Sequence, residues 1–184
     1  LRPDGGRVLL AGEPITGLPP RAIWRRGVGR TFQIAQTFVS MSVAENVQMA
    51  LFSLNNRTRA LLADAASLHR DEALALLDGV GMAALADRPV SDVKRAELAV
   101  ALAGAPKLLL MDEPTAGMAP AERAALMELT ATLARARSIG VLFTEHDMGA
   151  VFAHADRILV LVRGELIAAG RPEEVRADAR VRLA

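Results

Sequence analysis

The chain has 184 residues, enough for one domain with a sizeable core, and its 22 basic and 21 acidic residues leave a formal net charge of +1. That balance gives no electrostatic footprint for nucleic acid, and the lack of cysteine removes disulfides and thiolate metal sites and fits a reducing compartment. Apolar residues make up 52% but aromatics only 3%, which suits aliphatic strands under closely packed helices, and no apolar run reaches the roughly 20 residues that span a bilayer.

The opening Arg-Pro-Asp-Gly-Gly is turn chemistry without an initiator methionine, and the expectation is a chain taken from the middle of a longer protein. Residues 7–11 read as a short strand broken by Gly12-Glu13-Pro14. Pro19-Pro20 then opens a basic helix over 21–26, anchored by Ile23 and Trp24, with Arg21, Arg25 and Arg26 on a solvated face. Residues 28–33 have strand composition and end on Gln33.

Ser42-Val43-Ala44-Glu45 matches a capping box, which starts a helix running to about residue 54. The helical pattern over 58–85, interrupted by Gly79 and Gly81, extends this into an all-helical subdomain. A polar turn at 87–91 leads to a helix over 94–103 with Leu98, Ala101 and Leu102 on one face, ended by Ala105-Pro106.

The segment Lys-Leu-Leu-Leu-Met-Asp-Glu-Pro-Thr-Ala-Gly, residues 107–117, organises the rest. Leu108 to Met111 predict a strand buried on both faces, with Asp112 and Glu113 at its end. In an open parallel sheet, ligands collect beyond the carboxyl ends of the strands. Adjacent carboxylates there suit a metal ion and a water nucleophile, one holding Mg²⁺ and the other accepting a proton.

A helix starting at Pro120 runs to about residue 137, followed by a second buried strand over 139–144 and then Glu145, His146 and Asp147. A short helix over 148–155, an aliphatic strand over 157–162, a tight turn at Arg163-Gly164-Glu165 and a return over 166–168 precede a terminal helix from Gly170-Arg171-Pro172-Glu173. The alternation of strand and helix predicts a parallel α/β sheet, which brings His146 to the sheet edge that carries Asp112 and Glu113.

Taken together, these segments resemble the nucleotide-binding subunit of an ABC transporter over nearly the whole chain. Residues 108–117 look like the Walker B segment and D-loop, Thr144-Glu145-His146-Asp147 is similar to the switch-histidine segment, and Thr31-Phe32-Gln33 resembles the Q-loop. Arg30-Thr31-Phe32-Gln33, Val43-Ala44-Glu45-Asn46-Val47 and Ala116-Gly117-Met118 look most like ATPase subunits of branched-chain amino-acid importers.

The resemblance implies a P-loop NTPase-type parallel sheet core with an antiparallel β edge and an all-helical subdomain. It implies one nucleotide-binding domain over 1–184, with 1–36 and 106–184 as the α/β core and about 37–105 as the helical part. Asp112 and Gln33 would hold Mg²⁺, Glu113 would be the general base for the attacking water, and His146 would contact the γ-phosphate of ATP. The implied partners are a second ATPase subunit, transmembrane permease subunits docked near 38–47, and indirectly a solute-binding protein, with no nucleic acid. The implied location is the cytoplasmic face of the membrane, peripheral to it.

The chain departs from the family in three places. No Gly-x-x-x-x-Gly-Lys-Ser/Thr occurs, although that loop would lie shortly before a stretch like residues 1–6, and the glycine-rich signature expected between Ser91 and Lys94 is absent. Both are nucleotide-contacting loops, and the expectation is that they belong to a longer chain, with a junction at Asp92-Val93 and a further one near 55–57. Ala119 also stands where many members have Asp or Asn. A non-hydrolysing binding or regulatory module is the alternative; an ATPase of DNA repair or translation is disfavoured by the near-neutral charge.

Overall fold

The computed structural model describes residues 3–32, 37–54, 68–90 and 93–183. It begins with a small hairpin in which β1 (Leu9–Leu10) pairs antiparallel with β2 (Glu13–Pro14). Gly12-Glu13-Pro14 does not end the strand but returns it. Ala11 and Gly12 both take left-handed backbone, with φ of 50 and 85°, the two-residue geometry that matches strand twist. Pro20, whose missing N–H costs a first turn nothing, starts α1 (Pro20–Arg25).

The central sheet has three parallel strands in the order β3-β4-β5, with β3 at Val28–Thr31, β4 at Leu108–Asp112 and β5 at Gly140–Thr144. β3 and β4 meet along Val28–Thr31 and Leu108 to Met111, while β4 and β5 stay in register to their last residues, Asp112 opposite Thr144. β4 is the middle strand, so its carboxyl end is fixed from both sides.

Burial along β4 alternates instead of being complete on both faces. Leu109 and Met111 are buried, but Leu108 and Leu110 are half-buried. β5 departs further from the buried strand that its sequence predicts: it is the edge of the described three-stranded sheet, and Leu142 is 53% exposed. The apolar run specifies a strand but not how many layers cover it.

The well-covered face packs on helices. α2 (Val43–Leu54), α3 (Arg70–Gly79) and α4 (Val93–Leu102) contact one another, and α4 also lies against β3. Val43, Val47, Leu77, Leu98 and Leu102 share a single buried cluster with Leu109 and Met111 of β4, so the helical subdomain and the sheet have one apolar core. Each such side chain removed from water contributes about 1.5–3 kcal/mol before conformational entropy is set against it.

The start of α2 follows from its sequence. The Ser42 N–H donates to Glu45 Oε2 at 2.6 Å and the Glu45 N–H to Ser42 Oγ at 3.2 Å, the reciprocal pair of a capping box. The neighbouring N–H groups of Val43 and Ala44 donate to the carbonyls of Arg88 and Ala86, which ties this helix to the turn before α4. Asn46 closes the preceding loop, accepting from the Phe38 N–H at 2.7 Å and donating to its carbonyl at 3.1 Å.

α5 (Pro120–Arg137) carries the chain from β4 to β5, and α6 (Met148–His154) follows β5. The aliphatic strand β6 (Ile158–Val162) does not continue the parallel sheet among the described pairings. It turns through Arg163-Gly164 and pairs antiparallel with β7 (Glu165–Gly170), supplying the antiparallel edge. The terminal helix is two helices, α7 (Pro172–Ala177) and α8 (Ala179–Arg182), divided at Asp178, whose extended backbone and side chain cap the second. No helix among the described residues is long and apolar enough to cross a membrane.

Candidate functional site

The site forms where β4 and β5 end side by side. Past the last ladder pair the chain continues to bond across: the Glu113 N–H donates to the Thr144 carbonyl at 3.1 Å, with Thr144 Oγ1 also within 3.2 Å. The Thr144 hydroxyl donates in turn to Asp112 Oδ1 at 2.8 Å. The turn carrying the acids is therefore stapled to the turn carrying the histidine.

Glu113 itself has φ of 44°, a left-handed conformation that non-glycine residues seldom adopt. The chain thereby leaves the strand sharply, and the Ala116 N–H closes a turn on the Glu113 carbonyl at 3.1 Å. Such conformations persist where surrounding bonds over-determine them, and the Thr144 contacts do so here. The turn separates two adjacent carboxylates: Asp112 lies between Thr144 of β5 and Arg30 of β3, and Glu113 lies toward the turn after β5.

There Glu113 Oε1 lies 3.9 Å from His146 Nδ1, with the histidine side chain 74% and the glutamate 34% exposed. The separation is longer than a hydrogen bond, so the pair faces each other without direct donation. Asp147, next in the chain, caps α6: its Oδ1 accepts from the N–H groups of Gly149 at 2.8 Å and Ala150 at 3.2 Å, and its other oxygen pairs with Arg123 of α5. The Ala150 N–H first, then Arg123, hold the Asp147 carboxyl below its ordinary range.

Asp112 has one oxygen taken by Thr144 and the other 3.6 Å from the Arg30 guanidinium, which lies over the Phe32 ring at 4.7 Å. Both side chains of this pair are about half exposed, so the pairing is weak and solvent-screened. Among the described residues no three His, Cys, Asp or Glu side chains gather as a metal cage. A half-exposed carboxylate at a strand end nevertheless fits Mg²⁺, which takes one or two protein carboxylates and completes its shell with water and phosphate oxygens. Gln33, expected to share that ion, lies outside the described residues, as do Asp92 of the Asp92-Val93 junction and residues 55–57.

The described site thus brings together Asp112, Glu113 and His146 as the strand-end argument expects. Sequence reasoning missed Thr144, Thr115 and the inward-facing Glu145. Their cross-strand bonds depend on register, although Glu145 beside His146 was a visible acid without an assigned role.

An ABC transporter family model matches residues 1–116. The chain is 37% identical over 188 residues to the high-affinity branched-chain amino acid transport ATP-binding protein LivG of Escherichia coli (strain K12), an alignment covering 95% of this chain and 73% of that relative. Identity is 35% over 187 residues with the corresponding protein BraF of Pseudomonas aeruginosa, with the same two coverages. The fold matches the ADP conformation of MJ1267, an ATP-binding cassette of an ABC transporter, with a TM-score of 0.83 and 28% identity over 100% of this chain and 77% of that one. It also matches a nucleotide-free cassette with a TM-score of 0.79 and 26% identity. The chain therefore belongs to the ABC transporter family, as a P-loop NTPase-type ATPase cassette related to the ATP-binding proteins of branched-chain amino-acid transport.

Proposed function

We propose that this chain is the ATP-hydrolysing part of an importer of branched-chain amino acids or similar small polar solutes. The observation that carries the reading is the convergence of Asp112, Glu113 and His146 on one sheet edge, with Glu113 and His146 3.9 Å apart. The naming of LivG and BraF for branched-chain amino-acid transport supports the choice of solute. Residues 1–36 and 106–184 make up the α/β core of this single domain and about 37–105 its helical part.

Hydrolysis of ATP needs an in-line water, a proton acceptor and neutralisation of charge on the transferred phosphoryl group. Glu113 orients that water and takes its proton as the water oxygen bonds to the γ-phosphorus and the bond to the β,γ-bridging oxygen breaks, releasing ADP and phosphate. His146 donates to a γ-phosphate oxygen as charge develops there. Asp112, with Gln33, would hold Mg²⁺, which would supply neutralisation of phosphate charge.

A second cassette subunit sandwiching the nucleotide, permease subunits and a solute-binding protein complete the assembly. Phe38, 54% exposed, and the half-buried Met41 lie in the segment 38–47 that faces the permease in this reading.

The second reading is a non-hydrolysing binding or regulatory module, and the presence of Asp112, Glu113, His146 and Gln33 argues against it. One experiment separates the two: ATP binding and phosphate release are measured for the 184-residue chain and for a loop-completed cassette, with phosphate-loop and signature segments from a relative fused in. Hydrolysis by the completed cassette supports the ATPase reading; bound ATP without hydrolysis supports the module. Leucine uptake by vesicles containing the completed cassette with a LivG-type permease tests the solute.

A further inference from the structure

Glu145 stands between two site residues in sequence but turns away from both. Its Oε1 accepts two bonds from one residue of the neighbouring turn, the Thr115 N–H at 3.0 Å and the Thr115 hydroxyl at 2.6 Å. Thr115 is 2% exposed, and Glu145 Oε2 is enclosed by protein without a hydrogen-bond partner. A half-buried carboxylate directed inward in this way has a desolvation cost that a solvated position would avoid, so its place asks for a reason.

The geometry supplies one. Thr115 follows Glu113 by two residues, in the turn closed by the Ala116 N–H on the Glu113 carbonyl. Glu145 precedes His146 by one. Alternation along the chain after β5 directs Glu145 inward and His146 outward. The Thr115–Glu145 bonds therefore lock the far side of the two turns, as Thr144 locks the near side through Glu113 and Asp112. The Thr115–Glu145 bonds thus tie together the stretches that carry Glu113 and His146, beside the Thr144 bonds and the Asp147–Arg123 pair.

We infer that Glu145 is a positioning residue, a latch through Thr115 that sets the Glu113 to His146 separation. The inference rests on the site reading proposed above. Because the latch works by accepting hydrogen bonds, an uncharged acceptor of the same shape replaces it.

The test uses the 184-residue chain and nuclear magnetic resonance, which needs no hydrolysis. The wild-type Thr115 amide exchanges slowly with solvent, and an Overhauser contact links the side chains of His146 and Glu113. Glu145→Ala accelerates the exchange and removes the contact; Glu145→Gln restores both. If Glu145→Ala does not fold, Thr115→Val, which deletes the hydroxyl donor, weakens the contact. In the loop-completed cassette, Glu145→Ala lowers kcat by roughly 100-fold with KM little changed, the penalty of a small misplacement, and Glu145→Gln recovers it. A Thr115 amide exchanging at the rate of a free amide, a His146 to Glu113 contact that survives Glu145→Ala, or one that stays at wild-type strength in Thr115→Val, overturns the latch. Hydrolysis that persists in Glu113→Gln defeats the site reading instead, so the two failures are told apart.

Discussion

Nδ1 of His146 lies 3.9 Å from Oε1 of Glu113, although 33 positions of sequence separate the two residues. The parallel register of β4 and β5 creates that proximity, because Asp112 and Thr144 end opposite each other and each strand hands on to a turn in the same direction. In the proposed mechanism His146 acts only as charge grows on the γ-phosphate. His146→Ala in the loop-completed cassette is accordingly expected to lower kcat by roughly 10²–10³-fold while ATP affinity stays within a few-fold. Steady-state hydrolysis and equilibrium nucleotide binding measure the two quantities separately.

Gly29 of β3 has no room for a side chain. A Cβ there would stand 2.6 Å from the Ala101 carbonyl oxygen and 3.3 Å from Leu109 Cδ1 and Pro106 Cγ. The first of these is backbone at the end of α4 and cannot rotate away. Gly29→Ala is expected to cost about 1–3 kcal/mol by prising that helix from the sheet, read as a lower urea midpoint with an unchanged slope.

Leu98 is 1% exposed and belongs to the cluster shared by α4 and β4. Leu98→Ala should destabilise the chain by about 2–5 kcal/mol, the combined loss of transfer free energy and the cavity left behind. Denaturant unfolding measures it, and a change below about 1 kcal/mol would mean that the helices do not share their core with the sheet.

Asp147 gives stability a sign with pH. Its folded carboxyl is held below the ordinary value of 3.8 by the Ala150 N–H first and Arg123 second. A depressed folded value means that the contribution is fully present above the unfolded value and is lost as pH falls through the folded one. Asp147→Ala should lower the melting temperature by roughly 2–4 °C at neutral pH, and the difference from wild type should shrink below pH of about 4. Asp147→Asn, which keeps an acceptor for the cap, should lose less at neutral pH. Thermal unfolding across pH checks the whole pattern.

The sequence disclosed the site because its logic is local. A short apolar strand, two acids and a proline place Asp112 and Glu113 at a strand end, and a second such strand does the same for His146. The capping box at Ser42 and Glu45 and the prolines opening α1 and α5 are likewise written in neighbouring residues. What stayed hidden depends on pairing. The exposure of Leu142 and the Thr115–Glu145 bonds follow from which elements lie alongside one another. An acid beside a histidine reads the same whether it faces solvent or reaches a threonine 30 residues away.

The most direct test of the account is phosphate release in a single turnover by wild-type and Glu113→Gln forms of the loop-completed cassette, with bound ATP measured in the same samples. The account predicts that the variant binds ATP as wild type does, holds it uncleaved and accumulates as a closed dimer. Phosphate release at the wild-type rate from Glu113→Gln would contradict the assignment of Glu113 as the proton acceptor.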